Sequence, residues 1–520
     1  MTRHPLSLCV FGLLAAGTLF RVLPVFGGAP MLAEFFVTED GYLMLTVARN
    51  MALGLGMTVS DGTIPTNGVQ PLATFLFAGA HVVAAGDKME SLIGVHLISA
   101  AAALGGAFAV RSFAARVLAP HDPDPLWPWL AAGLWYVGPL LVLHSMNGLE
   151  TGIYTLALLI TLLQFCHVLE RGADASMGAG LMLGALTGVT FLARNDGVFL
   201  AIAIFAIWSL NLLIRERLGL VEMLRRVVPA GLLSVAIVMP WLVNNYVYFG
   251  SIVPISGTAQ SMGADFGSNA LLLPSQIFEH MFPMLPVPGA LQLMPAVVAI
   301  TAAASAVVLG WFLFRVWQRG GIVGLAVLAY LLHGAVLAFY YGFFFGASYF
   351  LTRYLAPLAP LLILASLVVL IDLARLVNAE RARALIAGVG IAGLALGAVL
   401  SARLMVPGVK EQGHFQVVDW VDDNLPDETW VAAVQTGTLG YWHDRTINLD
   451  GKVNPAALIA RRERGNVLGY LVASEIDYIA DWHGIAAWSE LTDDGFSESF
   501  ELLVDQPAQN LAVLRRRGVE

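Results

Sequence analysis

Acidic side chains that could move a proton lie close to long apolar runs in this sequence. Glu39 and Asp40 are adjacent and follow the first apolar run directly. Two carboxylates near lipid are costly, so their position needs a reason. One reason is structural: Thr38 can cap a helix whose dipole favours negative charge in the first turn, and Gly54 and Gly56 can end it. The other reason is chemistry at the membrane surface.

Four more charged residues lie at the edges of apolar runs, and each has a structural explanation of its own. Glu150 can cap a helix, Arg194 and Asp196 can form an interfacial ion pair, and Arg353 can reach the headgroups. Together they offer guanidinium groups, which bind phosphate in a bidentate manner, and carboxylates, which act as bases or metal ligands. This set suits a substrate that carries a phosphate.

The composition places these residues in a polytopic membrane protein. The 520 residues are 58% apolar and 12% charged, with a mean hydropathy of +0.74. No cluster of basic and aromatic residues indicates a nucleic-acid partner. The two cysteines, Cys9 and Cys166, lie inside apolar runs, so neither a disulfide framework nor a cysteine metal site is expected.

Runs of about 20 apolar residues, the length that a bilayer requires, recur through the first four hundred positions. We predict an uncleaved N-terminal anchor, because its apolar run continues without a small-residue cleavage site. Eleven spans are expected, at 6–26, 90–110, 128–146, 150–169, 177–193, 197–214, 228–248, 291–314, 322–345, 355–374 and 385–406.

One further apolar stretch, Val69 to Gly86, decides the topology. If it dips into the membrane without crossing, the arginines between spans become cytoplasmic, as the positive-inside rule requires. These arginines are Arg111, Arg116, Arg171, Arg215, Arg217, Arg225, Arg226, Arg315, Arg319, Arg375, Arg381 and Arg383. We therefore predict a multi-pass protein of the cytoplasmic membrane with its N-terminus inside and everything after about Pro407 outside.

This topology gathers the remaining charged residues on the outer face. Two long outer loops, 27–89 and 249–290, are predicted, the first ordered on the membrane and the second a mobile cover rich in Gly and Ser. The charged residues expected at the outer face are Glu39, Asp40, Arg49, Glu150, Arg194, Asp196 and Arg353.

Hydropathy drops after Pro407, which divides the chain into a membrane domain, 1–406, and a second domain, 407–520. The second domain is predicted to be a small α/β domain. Its expected strands are Trp430 to Gln435, Asp477 to Trp482 and Asn510 to Leu514, with helices at Gln416 to Asn424 and Pro455 to Arg462. His443 and Asp444 match no metal-ligand spacing and are expected to form a surface turn.

Short motifs throughout the chain resemble those of one enzyme family and occur in the family's order. They are Glu39-Asp40-Gly41-Tyr42 with Ala48-Arg49-Asn50 and Gly54-x-Gly56, Asn67-Gly68-Val69-Gln70-Pro71-Leu72, Asn147-Gly148-Leu149-Glu150-Thr151, Arg194-Asn195-Asp196-Gly197, Tyr248-Phe249-Gly250 with Pro254, Arg353-Tyr354-Leu355 with Pro357, Gly437-x-x-Gly440-Tyr441, and Asp450-Gly451-x-x-Asn454-Pro455. Over nearly its whole length the chain resembles the GT-C glycosyltransferases that use polyprenyl-phosphate sugars, among them the bacterial arabinofuranosyltransferase-like and mannosyltransferase-like proteins.

The resemblance implies a helical GT-C membrane domain of about eleven spans with a C-terminal extracytoplasmic α/β domain. It implies an inverting transfer of a sugar from a polyprenyl-phosphate donor to an acceptor hydroxyl, in cell-envelope assembly or glycosylation. By its distance to Arg49, Asp40 matches the family's catalytic aspartate, and Glu39 would orient it or help to hold a cation. Arg353 and Arg194 are then the candidates for the donor phosphate.

The resemblance assigns the acceptor or a second site to Glu150, Asp196, Asn147, Tyr42, Arg49 and Gln70. It leaves a divalent metal ion open, with Asp40, Glu39 and Glu150 as the ligands if one binds. The expected partners are the lipid-linked donor, a glycan, lipid or protein acceptor, and membrane lipids. The chain departs from the family pattern at Glu39, often an aspartate, at Asn195, commonly a proline, and at 68–71.

Two other classes of function remain open from the sequence. A transporter or lipid flippase usually places its charged groups near the bilayer midplane, on broken helices in two matching repeats. Here the charges gather at one face and no repeat is visible. A non-catalytic scaffold for envelope assembly would not need the acid pair at all.

Overall fold

The computed structural model describes residues 5–319, 321–376 and 414–519, together with seven positions between 388 and 400. These positions are 388, 392, 393, 395, 396, 399 and 400. The predicted last span at 385–406 therefore lies almost wholly outside the described residues, as do Arg381, Arg383 and the predicted boundary at Pro407.

Helices account for most of the described membrane domain, as its long apolar runs predict. They are α1 (Pro5–Phe26), α2 (Ala29–Phe35), α3 (Glu39–Ala52), α4 (Pro71–Val83), α5 (Lys88–Leu118), α6 (Leu126–Val137), α7 (Pro139–Met146), α8 (Thr151–Arg171), α9 (Met177–Ala193), α10 (Gly197–Leu210), α11 (Leu220–Phe249), α12 (Ile255–Ser261), α13 (Leu273–Met281), α14 (Pro295–Arg319), α15 (Ile322–Phe343), α16 (Leu351–Leu355) and α17 (Ala359–Leu376).

Within the described ranges, seven helical segments are long and apolar enough to cross a membrane, and nine if each of two bent pairs counts as one span. The pair α1 and α2 bends by 119° at Gly28, whose φ of +82° a residue with a side chain rarely adopts. The pair α6 and α7 bends by 63° before Pro139, which disfavours helical geometry at the preceding residue. The predicted helical membrane architecture is confirmed.

The predicted outer loop 27–89 is folded rather than extended. It contains α2, α3, a two-stranded hairpin of β1 (Thr58–Val59) and β2 (Ile64–Pro65), and α4. Helix α4, within the stretch Val69 to Gly86, has 13 residues and is about 20 Å long, shorter than a hydrocarbon core of about 30 Å. Its length agrees with the prediction that this stretch does not cross.

The C-terminal domain is an α/β domain with a mixed sheet of five strands in the order β4-β3-β5-β7-β6. The central strand pairs in parallel on one side and antiparallel on the other. Its elements are α18 (Phe415–Asn424), β3 (Val431–Ala433), α19 (Gly437–Trp442), β4 (Thr446–Asn448), α20 (Pro455–Arg464), α21 (Leu468–Ala473), β5 (Tyr478–Asp481), α22 (Phe496–Ser499), β6 (Phe500–Gln506) and β7 (Leu511–Arg516).

All three predicted strands and both predicted helices of this domain are present. Two strands, β4 and β6, had not been predicted. Strand β4 has only three residues, too few for an alternating pattern, and a bulge between Leu502 and Val504 interrupts the pairing of β6. Both lie at the edges of the sheet. An edge strand has a neighbour on one side only, so it leaves a weaker pattern of apolar residues in the sequence than a central strand does.

The C-terminal domain docks directly on α3. Both carboxylate oxygens of Glu39 accept hydrogen bonds from the first turn of α19: one from the Gly437 amide, the other from the Thr438 amide and hydroxyl, at 2.9 and 2.6 Å. The rings of Tyr42 and Tyr441 pack 5.1 Å apart. Helix α3 therefore joins the two domains.

We expect Gly437→Ala to loosen this docking, because a Cβ at this position would overlap the carbonyl oxygen of Glu39. Overpacking of this kind typically costs about 1–3 kcal/mol. Limited proteolysis between the domains should then be faster than in the wild type. Gly440→Ala in the same helix is the matched control, since its Cβ would lie 3.7 Å from Thr446 at an ordinary contact distance. Equal proteolysis rates for the two variants would contradict this packing.

Candidate active site

The acid pair lies in the first turn of α3, where the sequence predicted it. Thr38 caps the helix, since its hydroxyl oxygen accepts a hydrogen bond from the Gly41 amide at 3.3 Å. Gly54 and Gly56 follow the helix with φ of +81° and +77°, as predicted for its end. The cap and the helix dipole hold Asp40 at a fixed position and favour its ionised form.

Asp40 lies between two cations that come from distant parts of the chain. Arg353 Nη1 donates a hydrogen bond to Asp40 Oδ2 at 2.9 Å, and Lys452 Nζ lies 3.6 Å from Oδ1. The Asp40 side chain is 15% exposed. Burial alone would raise the pKa of Asp40, but the positive charges of Lys452 and Arg353 outweigh it and lower that pKa below its ordinary value of 3.8. The carboxylate is ionised at neutral pH.

Arg353 is positioned by aromatic neighbours on the short segment that leads into α17. Its guanidinium carbon lies 4.4 Å from the Phe350 ring centroid and 5.1 Å from that of Tyr354. Its Nη2 also contacts the Tyr354 hydroxyl at 3.4 Å. Its Nε is buried and has no hydrogen-bond partner in the described structure. One donor of the guanidinium group thus stays free for a ligand.

Lys452 comes from the C-terminal domain, and the sequence reasoning did not select it. Its Nζ forms an ion pair with Asp450 Oδ2 at 3.1 Å, and it lies 5.6 Å from the Phe350 ring centroid. A partial signal was present, because Lys452 occupies an unassigned position of the Asp450-Gly451-x-x-Asn454-Pro455 motif. Its proximity to Asp40 is visible only in the folded chain.

Arg194 and Asp196 form a buried ion pair in the turn between α9 and α10. Arg194 Nε donates to Asp196 Oδ2 at 2.8 Å, and Nη2 donates to the same oxygen. The Tyr341 hydroxyl donates to that oxygen as well, at 3.0 Å. The other ends of the pair, Arg194 Nη1 and Asp196 Oδ1, are buried without a partner among the described residues. Both groups keep their capacity for a hydrogen bond.

Two cavities share Asp40, Arg353 and Lys452 in their linings. The larger has a volume of about 360 Å³ and is also lined by Gln70, Glu150, Arg194, Asp196 and residues of α12. The smaller has about 290 Å³ and is lined by polar and aromatic side chains, among them Glu39, His144, Asn147, Tyr349 and Gln435. Six of the seven charged residues that the sequence placed at one face meet around these cavities, and Arg49 lines neither.

Solved structures of similar architecture align with nearly the whole chain. ArnT from Cupriavidus metallidurans bound to undecaprenyl phosphate aligns with 95% of this chain and 97% of its own, with a TM-score of 0.53 and 13% identity. The Archaeoglobus fulgidus oligosaccharyltransferase in complex with Zn and sulfate aligns over 94% and 70%, with a TM-score of 0.60 and 14% identity. AglB from the same organism, with an inhibitory peptide and a dolichol-phosphate, aligns over 99% and 74%, with a TM-score of 0.57 and 12% identity.

The chain has the GT-C fold. Residues 405–510 match the family model DUF8728, described as a domain of unknown function. No curated protein sequence matches the chain. The similarity of the solved structures thus concerns the fold.

Within this GT-C fold, Glu150 and Gln70 line the larger cavity. Glu150 is 5% exposed, and its carboxylate has no hydrogen-bond or ion-pair partner among the described residues. The side-chain oxygen of Gln70 is buried and equally unpartnered. Asn147 lies at the smaller cavity, where its carbonyl oxygen accepts from the Thr38 amide at 3.3 Å. It thereby ties the Glu150 turn to the start of α3.

Two residues assigned to the substrate are placed between the domains and line neither cavity. The Tyr42 hydroxyl donates to the Ala33 carbonyl at 2.8 Å, and its ring is fully buried. Arg49 donates to the Gly86 carbonyl at 2.9 Å and to Asp444 at 3.0 Å. In the structure both side chains serve the packing of α3, and direct contact of either with a substrate in these cavities is not supported.

Glu39 and Asp40 make different contacts in the structure. The two carboxylate oxygens of Glu39 accept hydrogen bonds from the first turn of α19, whereas those of Asp40 face Arg353 and Lys452. In the described part of the chain no group of three or more His, Cys, Asp or Glu side chains could hold a metal ion. The three acids considered from the sequence, Glu39, Asp40 and Glu150, do not form such a group in this arrangement.

His443 and Asp444 differ from the expected surface turn in one respect. His443 is 4% exposed, and its ring nitrogen contacts the Thr429 carbonyl at 2.8 Å. Asp444 is partly exposed and pairs with Arg49 and Lys88 at 3.0 and 3.1 Å. The segment is thus part of the interface between the domains.

Proposed function

We propose that this protein is an inverting glycosyltransferase that moves a sugar from a polyprenyl-phosphate donor to an acceptor hydroxyl. The observation that carries this proposal is an ionised carboxylate, Asp40, held between Arg353 and Lys452 where two cavities share their lining. The GT-C fold supports it, because proteins of this fold have been solved with undecaprenyl phosphate and with a dolichol-phosphate. The site therefore combines a base with cations suited to a lipid phosphate.

The donor phosphate is assigned to the larger cavity. Arg353 Nε and Arg194 Nη1 are buried donors without a partner in the part of the chain that the structure describes, and guanidinium groups match phosphate oxygens well. Apolar side chains such as Leu43, Val198 and Phe199 line the same cavity and suit the start of a lipid tail. Helix α12, from the predicted mobile loop 249–290, lies over this cavity and would cover the bound headgroup.

Asp40 acts as the general base in this proposal. It takes the proton of the acceptor hydroxyl as the oxygen attacks the anomeric carbon. The bond from that carbon to the phosphate oxygen breaks, and the polyprenyl phosphate leaves with the electron pair. Arg353 then neutralises charge that grows on the departing phosphate. One displacement inverts the anomeric configuration.

The acceptor is assigned to the smaller cavity, which reaches Asp40 from another side. Its lining combines the exposed ring of Tyr349 and the half-buried ring of Phe350 with polar groups at Asn147 and Gln435. Such a surface suits a hydroxyl-bearing molecule better than a purely apolar one. A glycan, a lipid or a protein could each supply the hydroxyl.

Incubation of the purified protein with a panel of polyprenyl-phosphate sugars tests this function. We expect release of the polyprenyl phosphate from at least one donor when an acceptor is present, with inverted configuration in the product. Movement of an intact lipid-linked sugar across vesicle membranes without bond cleavage would instead identify a flippase. Tight binding of the donor without either outcome would indicate a scaffold.

We also propose that the site faces outward from the cytoplasmic membrane, with the N-terminus inside. The distribution of arginines between the predicted spans supports this orientation. A reporter that is active only outside the cytoplasm, fused after Glu520, should be active. The same reporter inserted after Arg217, in the turn before α11, is the control and should be silent. An active reporter at Arg217 with a silent one at Glu520 would reverse the orientation.

A further inference from the structure

We propose that the C-terminal domain supplies a cation to the active site, and that the Lys452 ammonium group takes the place of a divalent metal ion beside Asp40. This inference rests on the proposed function, because it assigns Lys452 a part in the transfer reaction. It also gives a role to the domain that matches DUF8728. The domain would complete the site by docking on α3.

The contacts of Lys452 are those of a cation held between two carboxylates. Its Nζ lies 3.1 Å from Asp450 Oδ2 and 3.6 Å from Asp40 Oδ1, and the side chain is 14% exposed. Lys452 lines both cavities. An ammonium group has three donors, so after two carboxylate contacts one remains for a phosphate or an acceptor oxygen.

The backbone around Lys452 is fixed from several directions. Asp450 Oδ1 accepts a hydrogen bond from the Lys452 amide at 2.8 Å, and Arg461 donates to the Asp450 carbonyl. On the membrane domain, Gly68 packs so closely on the Lys452 carbonyl that a Cβ at Gly68 would overlap it. Asn454 caps α20 directly after this turn. The ammonium group is therefore placed by the docked domain rather than by a flexible loop.

The charges around Asp40 leave no position for a divalent ion. Each Asp40 oxygen faces a cation, Arg353 on one side and Lys452 on the other, and both oxygens of Glu39 bind α19. A metal ion at Asp40 would lie within a few ångströms of two like charges, which is strongly unfavourable at low dielectric. The carboxylates of the acid pair are thus already in use, and of the three acids considered as metal ligands Glu150 is left as a single carboxylate in the larger cavity.

The choice of lysine fits this role. The chain contains only three lysines, Lys88, Lys410 and Lys452, against 25 arginines, so it otherwise carries positive charge on guanidinium groups. An ammonium group is a compact, point-like charge, whereas guanidinium is a planar fork. The compact group can sit between two carboxylates, as it does between Asp40 and Asp450.

Metal binding can be measured without any activity. The EPR signal of Mn²⁺ should stay that of the free ion when the purified full-length wild type is added. In Lys452→Ala, Asp40 and Asp450 lose their shared cation, and we expect about one Mn²⁺ to bind per chain. Stoichiometric binding to the wild type that is lost in Asp40→Asn would overturn the proposal, and so would an absence of binding to Lys452→Ala.

Activity gives the second measurement, once a donor has been found. Wild-type turnover should be unchanged by EDTA, and Lys452→Ala should lower kcat by about 10²-fold, the size of effect seen for loss of one transition-state donor. Lys88→Ala is the matched control, since Lys88 bonds Trp442 and Asp444 across the same domain interface away from Asp40. It should keep near-wild-type kcat. Loss of wild-type turnover in EDTA with recovery on adding Mg²⁺ would overturn the proposal.

The pH dependence separates an electrostatic role from a merely structural one. Removal of Lys452 takes a positive charge from Asp40, so the acid limb of the kcat/KM profile should move to higher pH. A structural role would lower the rate without moving that limb. The other charged and titratable groups lining these cavities are Arg353, Arg194, Glu39, Glu150, Asp196, His144, Tyr340, Tyr341, Tyr349 and Tyr354. If no donor is turned over by any variant, the proposed function fails. The Mn²⁺ measurement then still tests whether Lys452 takes the place of a divalent metal ion beside Asp40.

Discussion

Asp40→Asn is expected to lower the transfer rate by about 10²–10⁴-fold, the contribution of a well-placed general base. The amide has nearly the same shape as the carboxylate but cannot accept the proton of the acceptor hydroxyl. Donor binding should change much less, because Arg353 and Arg194 remain. Turnover and donor affinity of the purified variant, measured with the same polyprenyl-phosphate sugar, test this expectation.

Glu39→Gln is the matched control for that variant, since it changes the adjacent acid in the same turn. Its amide can still accept one of the hydrogen bonds from α19, so docking is weakened but the base is retained. We expect activity well above that of Asp40→Asn. If Glu39→Gln abolished turnover and Asp40→Asn kept it, the base would have been assigned to the wrong acid.

Arg194→Met is expected to destabilise the membrane domain by about 3–5 kcal/mol, the usual cost of leaving one partner of a buried ion pair uncompensated. The Arg194 and Asp196 side chains are only 2% and 7% exposed, so water cannot replace the lost partner. The three tyrosine rings around the guanidinium, Tyr154, Tyr341 and Tyr354, would lose their cation as well. Thermal unfolding in detergent gives the measurement.

A second variant separates stability from donor binding at this pair. Arg194→Met combined with Asp196→Asn removes both charges and leaves the Tyr341 hydroxyl an amide oxygen to donate to, so most of the stability should return. The affinity for the polyprenyl-phosphate donor should stay low, because the guanidinium is still absent. Donor affinity restored together with stability would show that Arg194 has only a structural role.

The stability and the activity of the wild type at acid pH should follow the ionisation of Asp40. The pKa of this carboxyl is lower in the folded protein than in the unfolded chain. Its ionised form therefore stabilises the folded state at every pH above the pKa of the unfolded chain, and this stabilisation is lost as the pH falls through the pKa of the folded protein. The rate should therefore hold as pH falls from neutral towards the ordinary carboxyl range. A decline of kcat/KM that begins well above that range would contradict an ionised Asp40.

Much of the membrane domain could be predicted from the sequence because its signals are local. Apolar runs of bilayer length gave the helices, and the Thr38 cap with its two acids gave the start of α3. Charge placement brought Asp40, Glu150, Arg194, Asp196 and Arg353 to one region, and the cavities contain all five. These inferences need only composition, spacing and the cost of burying charge.

The division of labour within the acid pair could not be predicted in this way. Adjacent residues on a helix point about 100° apart, since a turn takes 3.6 residues. Which of two neighbours faces a cavity depends on how the helix is rotated against its surroundings. The carboxylate of Glu39 accepts hydrogen bonds from the docked α19, and the carboxylate of Asp40 pairs with Arg353 and Lys452. Arg49 and Tyr42 were assigned to the substrate for the same lack of information.

The sequence by itself determined a helical membrane protein with a separate C-terminal domain, a capped acidic turn and a set of charges too costly to be incidental. Only the tertiary structure decided that Lys452 meets Asp40, more than four hundred positions away along the chain. A contact between two domains leaves no period and no local spacing in either segment. It arises from the fit of α19 on α3, a property of two folded surfaces.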